Sequence, residues 1–307
     1  MRIAIMGTGA LGGTFGARLA AAGHDVHFIA RGANLEAMRA RGLRLISPHG
    51  DVHLDPVQVA EDPSEIGPVD VVFFMVKNTD VESAGQAILP LMQADTSVLT
   101  TQNGVTAWDR LGEIIGHARV IPGVVRFPSR LVEPGVIEHY SDMDAVHFNE
   151  IAGGTSPRTE ALADMLRVAG IRPVLPDNIH HDLWEKFCSQ CMMTSLTALT
   201  RLPLGPLRDT PETAAMIRDG IEEVCSVGRA IVPDLPQDMA EKGWHFVQQV
   251  PATLRTSMQE DLLREKPLEH EFLAGDVVRL GARYGVPTPI HTVLYNALKP
   301  VSDLLKK

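Results

Sequence analysis

The chain has 307 residues, with 28 Lys and Arg against 38 Asp and Glu, so its formal net charge is −10. That acidic balance argues against a nucleic-acid backbone or an anionic membrane as the main partner, and no apolar run approaches the ~20 residues of a membrane span. The length suggests two domains at about 150 residues each, and three cysteines (Cys188, Cys191, Cys225) are too few for a disulfide framework, which points to a reducing cytoplasm.

In chain order, Arg2–Met6 reads as a short buried strand and Ala10–Ala22, rich in Ala, Leu and Gly, as a tightly packed helix. Asp25–Ala30 is the next strand and Asn34–Arg41 the next helix. Leu43–Ile46 and Val52–Val59 look like a hairpin turning at His49-Gly50. The unbroken apolar run Asp70–Val76 suggests a central parallel strand covered on both faces. A helix near Val81–Leu91, strand Ser97–Thr101 and helix Trp108–Ile115 continue the alternation. From Val120 to Asn149 the pattern is β-rich, with a turn at Glu133-Pro134-Gly135, and helix Pro157–Ala169 and strand Ile171–Leu175 close the first half. Beyond it, His180–Thr200, Pro211–Ala230, Pro236–Gln249 and Glu269–Tyr284 show helical spacing with no strand between them. The fold class is therefore α/β: a doubly wound sheet over residues 1–177, followed by an all-α domain over 178–307.

The run Gly7-Thr8-Gly9-Ala10-Leu11-Gly12 matches G-x-G-x-x-G, follows a strand and opens a helix, the context in which that pattern signals a dinucleotide site. Gly7 permits the tight turn, Gly9 lets the backbone approach a pyrophosphate, and Gly12 lets helix and strand pack closely. The residue after the second strand selects the dinucleotide. Here it is Arg31, a partner for a 2′-phosphate rather than a 2′-OH, so the expected cofactor is NADP(H). Lys77 and Asn103-Gly104 stand at two later strand ends, where ligands of such sheets gather; each also reads as ordinary strand-end punctuation.

In the helical half, Lys186, Gln190 and Thr194 recur at i, i+4 and i+8 and share one helix face, either solvated or the wall of a polar pocket. A lysine in such a pocket could protonate an alkoxide as hydride reaches a carbonyl carbon. Arg255–Asp261 is a polar segment, and Glu269 opens a helix, where a carboxylate is favoured without any function. Cys188 and Cys191 form a C-x-x-C inside a helix and read as core thiols, and His180 is an alternative acid. No metal-ligand spacing and no G-x-S-x-G elbow occurs, so neither a metal site nor acyl hydrolysis is expected.

The ordered set Gly7–Gly12, Arg31, Lys77, Gln102-Asn103-Gly104, Trp184-Glu185-Lys186, Ser257-Met258-x-x-Asp261 and Glu269 resembles the ketopantoate reductase (2-dehydropantoate 2-reductase) family over nearly the whole chain. The resemblance implies an N-terminal Rossmann-type domain, an all-helical C-terminal domain, and NADPH-dependent reduction of a 2-oxo acid to a 2-hydroxy acid, as in pantothenate biosynthesis. It implies Lys186 and Glu269 as catalytic residues, with Lys186 the general acid. Gly7, Thr8, Gly9, Ala10, Leu11, Gly12, Arg31, Lys77, Asn103 and Glu269 would bind cofactor, and Asn103, Lys186, Gln190, Thr194 and Ser257 would bind substrate, Ser257 by holding the substrate's carboxylate. Three positions depart from the family pattern, which usually has Asn where this chain has Gln190, Thr194 and Leu204. Gln keeps the amide but moves its head group outward by one methylene, so the departures bear on substrate more than on chemistry. The alternatives are a paralogue that reduces a different 2-oxo acid or ketone, and a non-catalytic NADP-binding sensor. The apolar helical half could also carry a homodimer interface, which nothing in the spacing fixes.

Overall fold

The computed structural model describes residues 1–306 and separates into two compact units: Met1–Gln102 with Ala107–Ile179, and Asn103–Thr106 with His180 onward. The helical unit thus takes in a four-residue segment from the middle of the first half, which no composition shift marks.

The first unit runs β1 (Arg2–Met6), α1 (Ala10–Ala21), β2 (Asp25–Ile29), α2 (Gly32–Arg41), β3 (Leu43–Ile46), β4 (Val52–Leu54), β5 (Val59–Ala60), β6 (Val71–Phe74), α3 (Val81–Ala87), β7 (Ser97–Thr100), α4 (Ala107–Ile115), β8 (Val120–Val125), β9 (Ser129–Glu133), β10 (Val136–His139), β11 (Ala145–Phe148), α5 (Pro157–Val168) and β12 (Arg172–Val174). Eight strands form one sheet in the order β12-β11-β8-β7-β6-β1-β2-β5. Every neighbour pair is parallel except β11 against β8. Because β2 lies on one side of β1 and β6 on the other, the order reverses at β1, and ligands of such sheets bind beyond the strand C-termini at that point.

Side chains alternate across these strands, as the period of two requires. Ile3, Ile5, Phe73 and Leu99 join one buried cluster with Phe15 of α1 and Leu162 and Leu166 of α5. Ala4, Val72, Phe74 and Val98 join another with Val81, Ala84 and Leu111 of α3 and α4. Both faces are covered, which is why these strands read as unbroken apolar runs. A second sheet, β4-β3-β10-β9, is built from the connections.

One expected strand is divided. Val52–Leu54 pairs antiparallel with β3, but Val59–Ala60 leaves for the main sheet and pairs parallel with β2. Pro56, which has no N–H for a ladder, lies between them.

The second unit contains α6 (Ile179–Thr200), α7 (Leu204–Asp209), α8 (Pro211–Ile231), α9 (Met239–Gln249), α10 (Ser257–Leu263), α11 (Ala274–Tyr284) and α12 (Pro289–Leu305). The spacing did not indicate α7 and α12, and the polar segment at 255–261 becomes α10, whose N-cap Thr256 accepts from the Gln259 N–H. Nor does Glu269 open a helix that runs through Tyr284. It precedes a single 3-10 turn, His270–Phe272, and α11 starts afresh after Leu273, whose φ of −116° and ψ of −97° break the helix.

Candidate active site

The glycine loop follows β1 at the point where the sheet order reverses. Gly7 has φ +95°, a conformation costly for any side chain. A Cβ on Gly12 would stand 2.2 Å from the Gly7 carbonyl oxygen, so the first turn of α1 can lie on the loop only without one. A Cβ on Gly9 would meet nothing within 4 Å, which leaves open space in front of the loop. The first turn of α1 has no side-chain cap, so its amides are presented as an anion cradle. Thr8 is buried and donates its hydroxyl to Ile29 O (3.0 Å), which fixes the loop beside the end of β2. Arg31 follows, its side chain 81% exposed and its Nη2 2.8 Å from Asp80 Oδ2. Lys77, exposed, follows the apolar run of β6. An uncapped helix start with free space before it and a guanidinium at the next strand end fits the pyrophosphate and 2′-phosphate of NADP(H).

In the helical unit, three of the expected residues meet. Asn103 Oδ1 accepts from Lys186 Nζ at 3.0 Å and from Gln190 Nε2 at 2.9 Å. The chemistry fixes the orientations: an ammonium has only donors, so Asn103 must offer its oxygen, and Gln190 must then offer its nitrogen. Gln190 is left with its Oε1 buried and without a hydrogen-bond partner. Gln102, just before Asn103, anchors the start of this stretch by donating to Phe74 O (2.9 Å) and Val76 O (3.0 Å) at the end of β6. Its amide is a positioning group whose partners no local spacing reveals.

Thr194, the third residue of the stripe, is 3% exposed, so the stripe turns inward as it ascends α6. Ser257 is exposed at the first turn of α10, and the preceding Thr256 bonds Thr197 of α6 (2.8 Å), which ties that turn to the helix carrying Lys186. A threonine followed three residues later by glutamine is a capping signature that could have marked this start. Glu269 is buried at 8% exposure. Leu204 is wholly buried, and its amide bonds Leu254 O; it belongs to the core.

Other chemistry falls away. Cys188, Cys191 and Cys225 are buried free thiols. The hydrogen bond that Cys188 shares with Cys225 holds its proton and, with burial, pushes that thiol well up, and burial does the same for Cys191, so neither is a ready nucleophile. Burial lowers the pKa of half-buried His180, against the pull of Asp234. Among the described residues no cluster of His, Cys, Asp or Glu could hold a metal ion, and no helix is long and apolar enough to cross a membrane.

The models of ketopantoate reductase PanE/ApbA and of its C-terminal region match residues 3–153 and 178–302. The chain belongs to the ketopantoate reductase family. A 2-dehydropantoate 2-reductase of Mesorhizobium japonicum is 33% identical, with 94% of each chain covered. The crystal structure of a PanE/ApbA family ketopantoate reductase from Ralstonia eutropha superposes with a TM-score of 0.92 at 33% identity, covering 100% of both chains. A ternary structure of D-mandelate dehydrogenase with NADH and anilino(oxo)acetate gives a TM-score of 0.90 at 25% identity, covering 100% of this chain and 99% of the other. As a member of this family the chain is an NADP-dependent oxidoreductase acting on a CH–OH group.

Proposed function

We propose that this protein reduces a 2-oxo acid to the 2-hydroxy acid with NADPH, that 2-dehydropantoate is its substrate, and that Lys186 is the general acid. The observation that carries the reading is the hydrogen-bonded set Lys186–Asn103–Gln190, in which an ammonium is held at one defined place. By the family resemblance, Gly7–Gly12, Arg31, Lys77, Asn103 and Glu269 would bind the dinucleotide. When bound, NADPH supplies the hydride for the carbonyl carbon.

The rest is work for the chain's own side chains. The carbonyl oxygen gains charge as it is reduced, and Lys186 Nζ donates the proton that neutralises it. Asn103 Oδ1 keeps the ammonium aimed without competing for the proton, since an amide oxygen is far less basic than an alkoxide. Ser257 donates its hydroxyl to the substrate carboxylate. Gln190 Oε1, a buried acceptor that lacks a donor, suits the 4-hydroxyl of 2-dehydropantoate. Three buried thiols fit a reducing cytoplasm.

A second reading, reduction of a 2-oxo acid with an apolar side chain, is favoured by the burial of Thr194 and Leu204, which leaves little else polar to read a substrate hydroxyl. The experiment is NADPH oxidation with 2-dehydropantoate beside pyruvate, 2-oxoisovalerate and an aryl 2-oxo acid. Preference for 2-dehydropantoate is expected. Faster turnover of 2-oxoisovalerate or the aryl acid would establish the second reading, and turnover of none would overturn both.

A further inference from the structure

Residues 103–106 form a short bridge that is held at both ends by the helical unit. At one end Asn103 accepts from Lys186 and Gln190 of α6. At the other, Thr106 Oγ1 donates to Asp276 Oδ2 at 2.6 Å. Between them, Gly104 has φ +92° and lies so close to the 3-10 turn after Glu269 that a Cβ would stand 2.8 Å from Phe272 O.

Asp276 is 5% exposed, and a buried carboxylate is tolerated only when paired. It stands in the first turn of α11, where the helix dipole favours it. Its second oxygen accepts from Arg279 Nη2 at 2.6 Å. Arg279 also reaches Glu271 Oε2 (3.2 Å), and the Glu271 carboxylate accepts from Tyr295 (2.9 Å) and Lys299 (3.1 Å) of α12. The carboxylate that holds Thr106 is therefore itself held from the 3-10 turn, α11 and α12.

We propose that Asp276, acting through the Thr106 hydroxyl, is a positioning residue that sets where Asn103 meets Lys186. The inference rests on the reading of Lys186 as proton donor. Two residues separate Thr106 from Asn103, so a shift at one end is passed to the other with little slack. A misplacement of about 1 Å at a reacting group can cost ~10²-fold in rate.

The test is Thr106→Val, which keeps the shape and removes only the hydroxyl. Turnover of the fastest 2-oxo acid and amide exchange at Asn103–Thr106 in the protein without cofactor are both measured. The expected result is a kcat lower by about 10-fold, exchange faster by a similar factor, a melting temperature lowered by only a few degrees, and recovery of most of the rate in Thr106→Ser. Asp276→Ala should reproduce the loss, but it also strips a partner from Arg279, so Thr106→Val decides if that variant fails to fold. Wild-type exchange in Thr106→Val would overturn the clamp, and faster exchange with an unaltered kcat would overturn its link to Lys186. Failure of the Lys186 reading shows separately, as undiminished turnover in Lys186→Ala.

Discussion

At the scale of single residues, the proposed proton transfer rests on how an ammonium is held. Lys186 Nζ donates to the amide oxygen of Asn103, a partner that orients the ammonium and is too weakly basic to take its proton. Lys186→Ala should lower kcat by ~10² or more while NADPH affinity, measured by fluorescence titration, stays within a few-fold; wild-type turnover would remove Lys186 from the reaction. Arg31 offers a second test. Its ion pair with Asp80 is mostly exposed and contributes little to folding, so Arg31→Asp should leave the fold intact. A lost charge-assisted hydrogen bond is worth about 1.5–3 kcal/mol, and the ratio of NADPH to NADH affinity should fall by roughly 10- to 100-fold. An unchanged ratio would show that Arg31 does not read the 2′-phosphate. The spacing of Lys186 and Gln190 on one helix face was legible because i and i+4 are neighbours on any helix. Their convergence on Asn103 was not, since 83 and 87 positions separate the partners and only the tertiary fold brings them together.

At the scale of elements, legibility followed how locally each signal is written. Strands β1, β2, β6 and β7 and helix α1 stand where their apolar runs put them, because a strand covered on both faces reads as a near-continuous apolar run. The run Val52–Val59 misled because two sheets share it, and that division is decided by partners elsewhere in the chain. Helix α12 was hidden by Pro300 in its interior, which reads as a breaker, and α10 by its polar surface. The glycine loop permits a sharper test than removal of the loop. Gly9 has φ −84°, which alanine adopts without strain, and its Cβ would enter open space. Gly9→Ala should therefore melt like the wild type yet bind NADPH weaker by on the order of 10-fold or more, because the added methyl stands where the pyrophosphate must approach. Gly12→Ala should lose both stability and binding, since its methyl meets the Gly7 carbonyl; overpacking of this kind costs about 1–3 kcal/mol. Calorimetry and titration of the pair separate the two roles. Equal behaviour of the two variants would contradict the division of labour within the loop.

At the scale of the whole molecule, two buried or half-buried groups tie stability to pH. His270 is wholly buried, has no hydrogen-bond partner on either nitrogen, and stacks on Tyr295 at 5.4 Å. Burial holds its pKa down at about 4, against the pull of Glu271 and Asp303 and with the help of Lys306 and Lys299. Burial works to raise the neighbouring Glu271 carboxyl, but hydrogen bonds from Tyr295 and Lys299 and the nearby positive charges hold it down at about 2. An unfolded histidine titrates near 6.5 and an unfolded glutamate at about 4.3. Between pH 6.5 and 4 the unfolded chain therefore takes up a proton at His270 that the folded chain refuses, and stability falls as pH falls. From about 4.3 down to 2 the stabilising contribution of the Glu271 charge is lost in the same direction. His24, His139 and His180 are lowered too, so the slope of the wild type alone cannot assign the effect to one residue. The difference between two proteins can. His270→Phe keeps the ring stack and removes both unpaired nitrogens, so its melting temperature should exceed that of the wild type, by a margin that widens steadily from pH 7 to pH 4 and no further below. A margin constant across that range would mean that position 270 does not titrate, and a narrowing one would mean that the folded protein prefers the histidinium.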